Sequence, residues 1–174
     1  PLAMANLLVR RVGGKSRHSV EVKGRGDLLI RFAKCCDPIP SDSIVGFITR
    51  GKGVTVHSQK CSGVYDLLDE KDRLVEVSWG DLKKDKLHDV TLTVEAVDRP
   101  GTLAGLSAAI ADCQSNIARI EAESHHDRAG IRLQVQVHDL EHLNEVMKRA
   151  KEVKGVLSVL RVSPQGKKKE SWTN

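Results

Sequence analysis

The sequence predicts an α+β protein: a small β-rich module with one short helix, followed by a ferredoxin-like βαββαβ module. Two observations carry that expectation. Residues 28–79 hold short apolar runs separated by Gly, Pro and Asp clusters, the signature of short strands between turns. Residues 88–162 alternate period-two segments with two stretches of helical spacing. A length of 174 residues leaves room for one or two ordinary domains.

In the first module, Leu28–Phe32, Ile44–Thr49 and Val54–His57 read as strands. The last two flank Arg50-Gly51-Lys52-Gly53, whose glycines supply positive φ for a tight hairpin. Ser62–Leu68 places Val64, Leu67 and Leu68 at helical spacing, and Arg73–Trp79 alternates as one strand. Residues 26–80 form this module. Residues 1–25 read as a basic connector and 81–87 as a polar linker.

The second module occupies residues 88–163. His88–Val97 presents Val90, Leu92, Val94 and Ala96 on one face. Asp98–Gly101 is a turn, with Thr102 as helix cap. Leu103, Leu106, Ala109, Ile110 and Cys113 form one helical stripe. Ile117–Glu123 follows as a strand with Ile117, Ile120 and Ala122 inward, then a turn at Asp127–Gly130 and a strand over Ile131–Val137. Asp139 caps a helix carrying Leu140, Leu143, Val146, Met147 and Ala150, and Gly155 ends it. Val156–Val162 is the last strand. The order βαββαβ is the split βαβ sandwich.

Composition narrows the function classes. Aromatic residues are 3% of the chain, so both cores are aliphatic. No apolar run approaches the ~20 residues of a membrane span, and the opening residues lack the basic leader of a signal peptide. Four cysteines are too few for a disulfide scaffold, and cytoplasmic thiols are expected. The net charge of +5 resides at the ends. Residues 1–34 hold eight Lys/Arg against two Asp/Glu, and residues 164–174 form a basic tail with Lys167, Lys168 and Lys169. Such ends either attract phosphate or are simply solvated.

Two constellations can carry chemistry. Cys35 and Cys36 precede Asp37-Pro38, and His57 and Cys61 follow in an H-x₃-C pattern. Four N/S ligands suit tetrahedral zinc. Neighbouring strand residues point to opposite faces, so Cys35 and Cys36 share an ion only across a kink, which Asp37-Pro38 can provide. The same residues also read as small buried thiols, or as a Cys/His nucleophile pair lacking any visible oxyanion loop. The second constellation is the loop from Asp98 to Leu103. Its helix start offers free N–H groups and partial positive charge, suited to a small carboxylate such as an amino acid's. Asn116 can add an amide to that pocket. The plain alternative is an exposed strand–helix turn.

The βαββαβ order, the DRPGTL loop and the Asn116-Ile117 pair together resemble an ACT domain over residues 88–163. The resemblance implies sensing of a small ligand, usually an amino acid and here a branched-chain one, between paired domains. Carried over, the pocket is Asp98, Arg99, Pro100, Gly101, Thr102 and Leu103 with Asn116 and Ile117. Open sheet edges favour a homodimer through this module. Ala33–Cys61, with its CC…RGKGVTVH…C combination, resembles the zinc-finger-like RIS module of long RelA/SpoT homologues. These stringent-response enzymes make and degrade guanosine tetra- and pentaphosphate. Ser41 stands where the family usually has glycine.

This second resemblance implies the C-terminal regulatory end of a larger enzyme, with hydrolase, synthetase, TGS and helical domains upstream and no catalytic site here. It implies zinc on Cys35, Cys36, His57 and Cys61. Lys34, Arg50, Lys52 and Lys60 would contact ribosomal RNA, beside tRNA in the parent complex. Two rivals remain: an amino-acid-sensing ACT module of another enzyme without RNA binding, and a zinc-dependent nucleic-acid module whose ACT part only dimerises.

Overall fold

The structure, a computed structural model, describes residues 20–23, 28–49, 51, 53–65, 67, 70–80 and 86–163. Two compact units divide the chain, the first ending at Lys83 and the second beginning at Lys84, with Ile39–Ser41 counted in the second.

Short aliphatic strands build the first unit. They are β1 (Val20–Val22), β2 (Ile30–Phe32), β3 (Ile44–Thr49), β4 (Gly53–Ser58), β5 (Leu74–Val75) and β6 (Val77–Trp79). One sheet has the order β2-β4-β3-β5, and β1 pairs separately with β6. The β3–β4 hairpin runs in register from Ile44 opposite Ser58 to Thr49 opposite Gly53. Gly53 is required twice over. Its φ is 81°, and a Cβ there would lie 2.1 Å from the Leu29 carbonyl oxygen. That carbonyl accepts from the Val54 N–H at 2.8 Å.

The core of this unit is Val20, Ile44, Val54, Val56 and Val77, with Phe32 and Trp79 among the side chains packed against it. Phe32 and Trp79 stack with centroids 5.7 Å apart, and the Trp79 indole donates to the Asp42 carbonyl at 2.8 Å. Burying the ring this way leaves its one polar atom satisfied. Arg73 lies over the Phe47 ring at 4.4 Å and donates through Nε to the Ile48 carbonyl.

Several boundaries differ from the sequence reading. Val20–Val22 is a strand, not part of a connector, because Val20 and Val77 are both needed to close the core. Leu28 and Leu29 precede β2 rather than belonging to it. The expected helix is the single turn α1 (Ser62–Tyr65); Leu67 lies beyond it, and Leu68 is outside the described residues. The segment read as one strand over Arg73–Trp79 breaks at Glu76. Its halves pair with different partners, β5 with β3 and β6 with β1.

In the second unit, β7 (His88–Val97), α2 (Thr102–Asp112), β8 (Asn116–His125), β9 (Arg128–Val137), α3 (Leu140–Glu152) and β10 (Val156–Val162) follow the expected βαββαβ order. The sheet order is β10-β7-β9-β8, antiparallel throughout. Strict alternation places Val90, Leu92, Val94 and Ala96 of β7 beneath the helices, with Ile131, Leu133, Val135 and Val137 of β9. Leu106 and Ile110 of α2, and Leu143, Val146 and Ala150 of α3, complete this core. Asp139 caps α3 by accepting the His142 N–H at 2.9 Å, and Gly155 after it has φ 97°.

Three local expectations are corrected. Thr102 is not the cap of α2; Gly101 is, at φ 88°, while the buried Thr102 hydroxyl donates to the Val97 carbonyl at 3.4 Å. The β8–β9 turn is His126–Asp127, and Arg128–Gly130 already belong to β9. Ile120 and Ala122 are exposed although they pair with buried Leu133 and Ile131. The reason is that β8 is an edge strand, and the helices leave its outer side uncovered.

Ser41 has φ 69°, a left-handed conformation, and is exposed. That conformation costs an L-residue about 1–2 kcal/mol, against roughly 0.5–1 kcal/mol of extra chain entropy for glycine. Ser41→Gly should therefore stabilise the protein by about 0.5–1 kcal/mol. A higher urea midpoint at unchanged slope is the expected readout; a lower midpoint would contradict this account of the turn.

Candidate functional site

The first unit gathers Cys35, Cys36, His57 and Cys61 at one end of its sheet. The parallel pairing of β2 with β4 sets Phe32 opposite Val56. Both strands therefore leave the sheet at the same end, β2 toward Cys35 and β4 through His57. The chain kinks at once: the N–H groups of Cys36 and Asp37 both donate to the Ala33 carbonyl, at 3.4 and 2.9 Å. This turn, with Asp37 at φ 36°, brings the two neighbouring thiols to one side. The kink thus begins at Ala33, before the Asp37-Pro38 step that the sequence suggested. A second turn, closed by Cys61 N–H to the Ser58 carbonyl at 3.0 Å, returns Cys61 to His57.

The ligand atoms lie within 4.8 Å of one another, and the group can hold a metal ion. Cys35 Sγ is 3.4 Å from His57 Nδ1, 3.5 Å from Cys61 Sγ and 3.9 Å from Cys36 Sγ. Cys36 Sγ is 3.9 Å from His57 Nδ1. A tetrahedron with bonds of ~2.3 Å to sulfur and ~2.0–2.1 Å to nitrogen has edges of ~3.8 Å between sulfurs and ~3.6 Å from sulfur to nitrogen. The cluster has that size. All four cysteines of the chain are free thiols.

Burial shapes the chemistry of these groups. It pushes the Cys36 thiol up to about 12, and raises that of Cys35, helped by the adjoining Cys61. It also lowers the His57 imidazole below its usual range. Without a cation the cluster favours neutral groups; a bound cation would instead stabilise the thiolates. One partner escaped the sequence reading: the Ser58 N–H donates to Cys36 Sγ at 3.3 Å. It orients the ligand, as outer partners of metal sites do, but a backbone donor carries no signature in sequence. Lys34 and Lys60 flank the cluster and are exposed. Arg50 and Lys52 lie outside the described residues.

In the second unit the predicted pocket residues are not brought together. Asp98 donates its N–H to the Asp127 carbonyl at 2.8 Å. Arg99 is turned onto Gly155, where an added Cβ would meet its guanidinium at 2.7 Å. Pro100, Gly101 and Leu103 are exposed, and α2 begins with no side-chain cap. Asn116 and Ile117 lie at the other end of the sheet. Asn116 donates to Gln136 Oε1 at 3.1 Å, and Gln136 donates to Asp89 Oδ1 at 3.1 Å. Since Asp89 and Val97 are eight residues apart on β7, the Asn116 amide is about 25 Å from the loop within one chain.

Part of the outer side of this unit is apolar and uncovered. Helix α2 carries no charge before Asp112, and its Leu103, Ala104, Ala108 and Ala111 are exposed. Beside it runs β8, with its outer backbone edge unpaired in the sheet and Ile120 41% exposed. The helix thus leaves apolar area uncovered beside strand-edge backbone groups that are unpaired in the sheet.

Both units match known families. A family model described as the RelA/SpoT RIS domain matches residues 20–80, and one described as the ACT domain matches residues 84–161. A GTP pyrophosphokinase of Myxococcus xanthus is 39% identical over 160 residues, covering 91% of this chain and 21% of that protein. The bifunctional (p)ppGpp synthase/hydrolase RelA of Mycobacterium tuberculosis is 36% identical over 145 residues, covering 83% of this chain and 20% of that protein. The chain thus spans about a fifth of the length of the curated relatives it matches. Among solved structures, the ACT domain of the Chlorobium tepidum GTP pyrophosphokinase covers 44% of this chain and 100% of that one, at 19% identity and a TM-score of 0.41. Among the described residues, no helix is long and apolar enough to cross a membrane.

The geometry of the cluster makes a direct prediction. Cobalt(II) added to metal-free protein should bind one ion per chain, with the visible bands of a tetrahedral thiolate site. Cys61→Ser should weaken this binding by about 100-fold or more, because one of four ligands is lost. Cys113→Ser, outside the cluster, should leave it unchanged. Spectra of octahedral cobalt would contradict the assignment.

Proposed function

Because the chain belongs to the RelA/SpoT family, as its C-terminal regulatory region, we propose that it controls upstream catalytic domains that make and degrade guanosine tetra- and pentaphosphate. The ACT unit pairs with a second copy and binds an amino acid, with branched-chain side chains favoured. The RIS unit holds zinc and docks on ribosomal RNA. Either event regulates only if it has different affinity for the enzyme's two states.

The observation that carries the amino-acid reading is the separation of Asn116 from the loop at Asp98–Leu103. In one chain they mark opposite ends of the sheet. If β8 of one copy lies antiparallel to β8 of another, Asn116 of each copy comes to the loop end of its neighbour. The exposed apolar side of α2 supports this pairing, since the same contact would bury it. At that junction the uncapped start of α2 would receive the ligand's carboxylate.

Zinc is the ion assigned to Cys35, Cys36, His57 and Cys61, since three thiols and an imidazole form a common structural donor set for it. Four protein ligands leave no open position, so the ion would hold the two turns together rather than activate a substrate. RNA docking is supported by exposed Lys34 and Lys60 beside this rigid cluster, positioned to meet phosphates rather than read bases.

Calorimetric titration with valine, isoleucine and leucine tests the ligand site, with oligomeric state measured on the same sample. Saturable binding at one site per chain is expected for a dimer. Gly101→Asp should abolish the heat, because the added carboxylate repels the ligand's. A Cβ there meets nothing within 4 Å, and the left-handed φ of 88° costs the new side chain about 1–2 kcal/mol, which lowers the unit's stability without unfolding it. Unchanged binding by that variant would remove the loop from the site.

Docking is tested with an RNA fragment of the ribosomal A-site region. Replacing Lys34 and Lys60 together by Glu should reduce the slope of log affinity against log salt by about 2. An unchanged slope would exclude phosphate contact by these lysines.

A further inference from the structure

We propose that Cys35 and Cys61 are a peroxide-sensitive pair whose disulfide expels the metal from the RIS unit. This rests on the metal reading above and adds a covalent modification to it. Cys35 is the hub of the cluster. Its sulfur is close to all three other ligand atoms, and Cys61 Sγ, at 3.5 Å, is the nearest sulfur. Its side chain is only partly buried, whereas Cys61 is buried. An oxidant therefore reaches Cys35 before Cys61, which stands behind it to resolve the product; Cys36 is partly buried as well.

The alternative pairings are disfavoured. Cys35 and Cys36 are neighbours, with Cα atoms ~3.8 Å apart across a trans peptide. That is shorter than the roughly 4.4 Å minimum that disulfides usually span. Cys36 is in addition held by the Ser58 N–H at 3.3 Å and lies 3.9 Å from the Ala33 carbonyl. Cys113 is buried in the other unit, with its thiol directed to the Ala109 carbonyl at 3.3 Å.

The chemistry balances with a hydroperoxide as oxidant. Cys35 attacks the peroxide as its thiolate; an S–O bond forms, the O–O bond breaks, and the proton lost on ionisation of the thiol leaves with the departing oxygen as water or alcohol. The Cys61 sulfur then attacks the sulfenic acid. The S–S bond forms, the S–O bond breaks, and water departs with the second proton. Two thiols lose two electrons in total and the peroxide gains them. When the ligands start as metal-bound thiolates, solvent supplies the two protons. Cys36 and His57 alone cannot complete a four-ligand shell, so the ion is released.

Hydrogen peroxide is added to the full chain, zinc-loaded and metal-free in parallel, with zinc release followed by a chelating dye. The expected result is a mass loss of about 2 Da and a tryptic link between peptides 35–50 and 61–71. One equivalent of zinc should be released from the loaded sample, and dithiothreitol should reverse the link. Cys36→Ser should keep the link. Cys61→Ser should instead accumulate a dimedone-trappable sulfenic acid at Cys35. Fragment spectra of the wild-type linked peptide separate Cys35 from Cys36 even if the variants fold poorly. Zinc retained with all thiols still free, or a link through Cys36, overturns the proposal. A sample that never binds zinc yet forms the Cys35–Cys61 link refutes the metal reading and leaves the redox pair standing.

Discussion

The parallel alignment of β2 with β4 is the constraint on which the first unit depends. Three register pairs, from Ile30 with Val54 to Phe32 with Val56, decide where both chain segments leave the sheet. A one-residue slip would turn every side chain of β2 to the opposite face and carry Cys35 and Cys36 away from His57. The register is fixed by aliphatic packing, since Val54 and Val56 are fully buried while Ile30 and Phe32 pack against their cluster. Gly53 contributes from the far end, where only a missing side chain lets the hairpin approach Leu29. The polar cluster is thus a result of apolar order.

The second unit shows the opposite economy. Its core is a regular two-layer sandwich, and its distinguishing features are those left uncovered. Strand β9 is flanked on both sides and buries every second residue, whereas β8, paired on one edge, exposes nearly all of its side chains. Among the exposed positions, polar side chains form hydrogen-bonded rows such as Asn116–Gln136–Asp89. Such rows fix the edge strand without demanding burial, and they leave its outer backbone groups available.

Residue type and period made much of this legible. The alternation in His88–Val97 and the apolar spacing in residues 140–150 are strong local signals, and both elements appear as read. The four ligand candidates could be chosen because Cys and His are chemically distinctive. What the sequence does not display is pairing. Val20–Val22 is too short and too charged around its edges to announce a strand; it exists because Val77–Trp79 needs a partner. Asn116 looked like a neighbour of the Asp98–Leu103 loop because both adjoin the same helix, yet they adjoin its opposite ends. Ile120 carries the residue type of a core strand and is exposed, since the burial of a strand face depends on what covers it.

The pairing of β1 with β6 has a mechanical meaning. Val20 and Trp79 face each other across one antiparallel ladder, about 5 Å apart at their Cα atoms. The sixty-residue path between them leaves and returns at nearly one point, so the unit is carried on the chain like a bead on a closed loop. Tension applied to the two ends would first unzip three residue pairs, leaving β2–β4 and the thiol cluster outside the line of force.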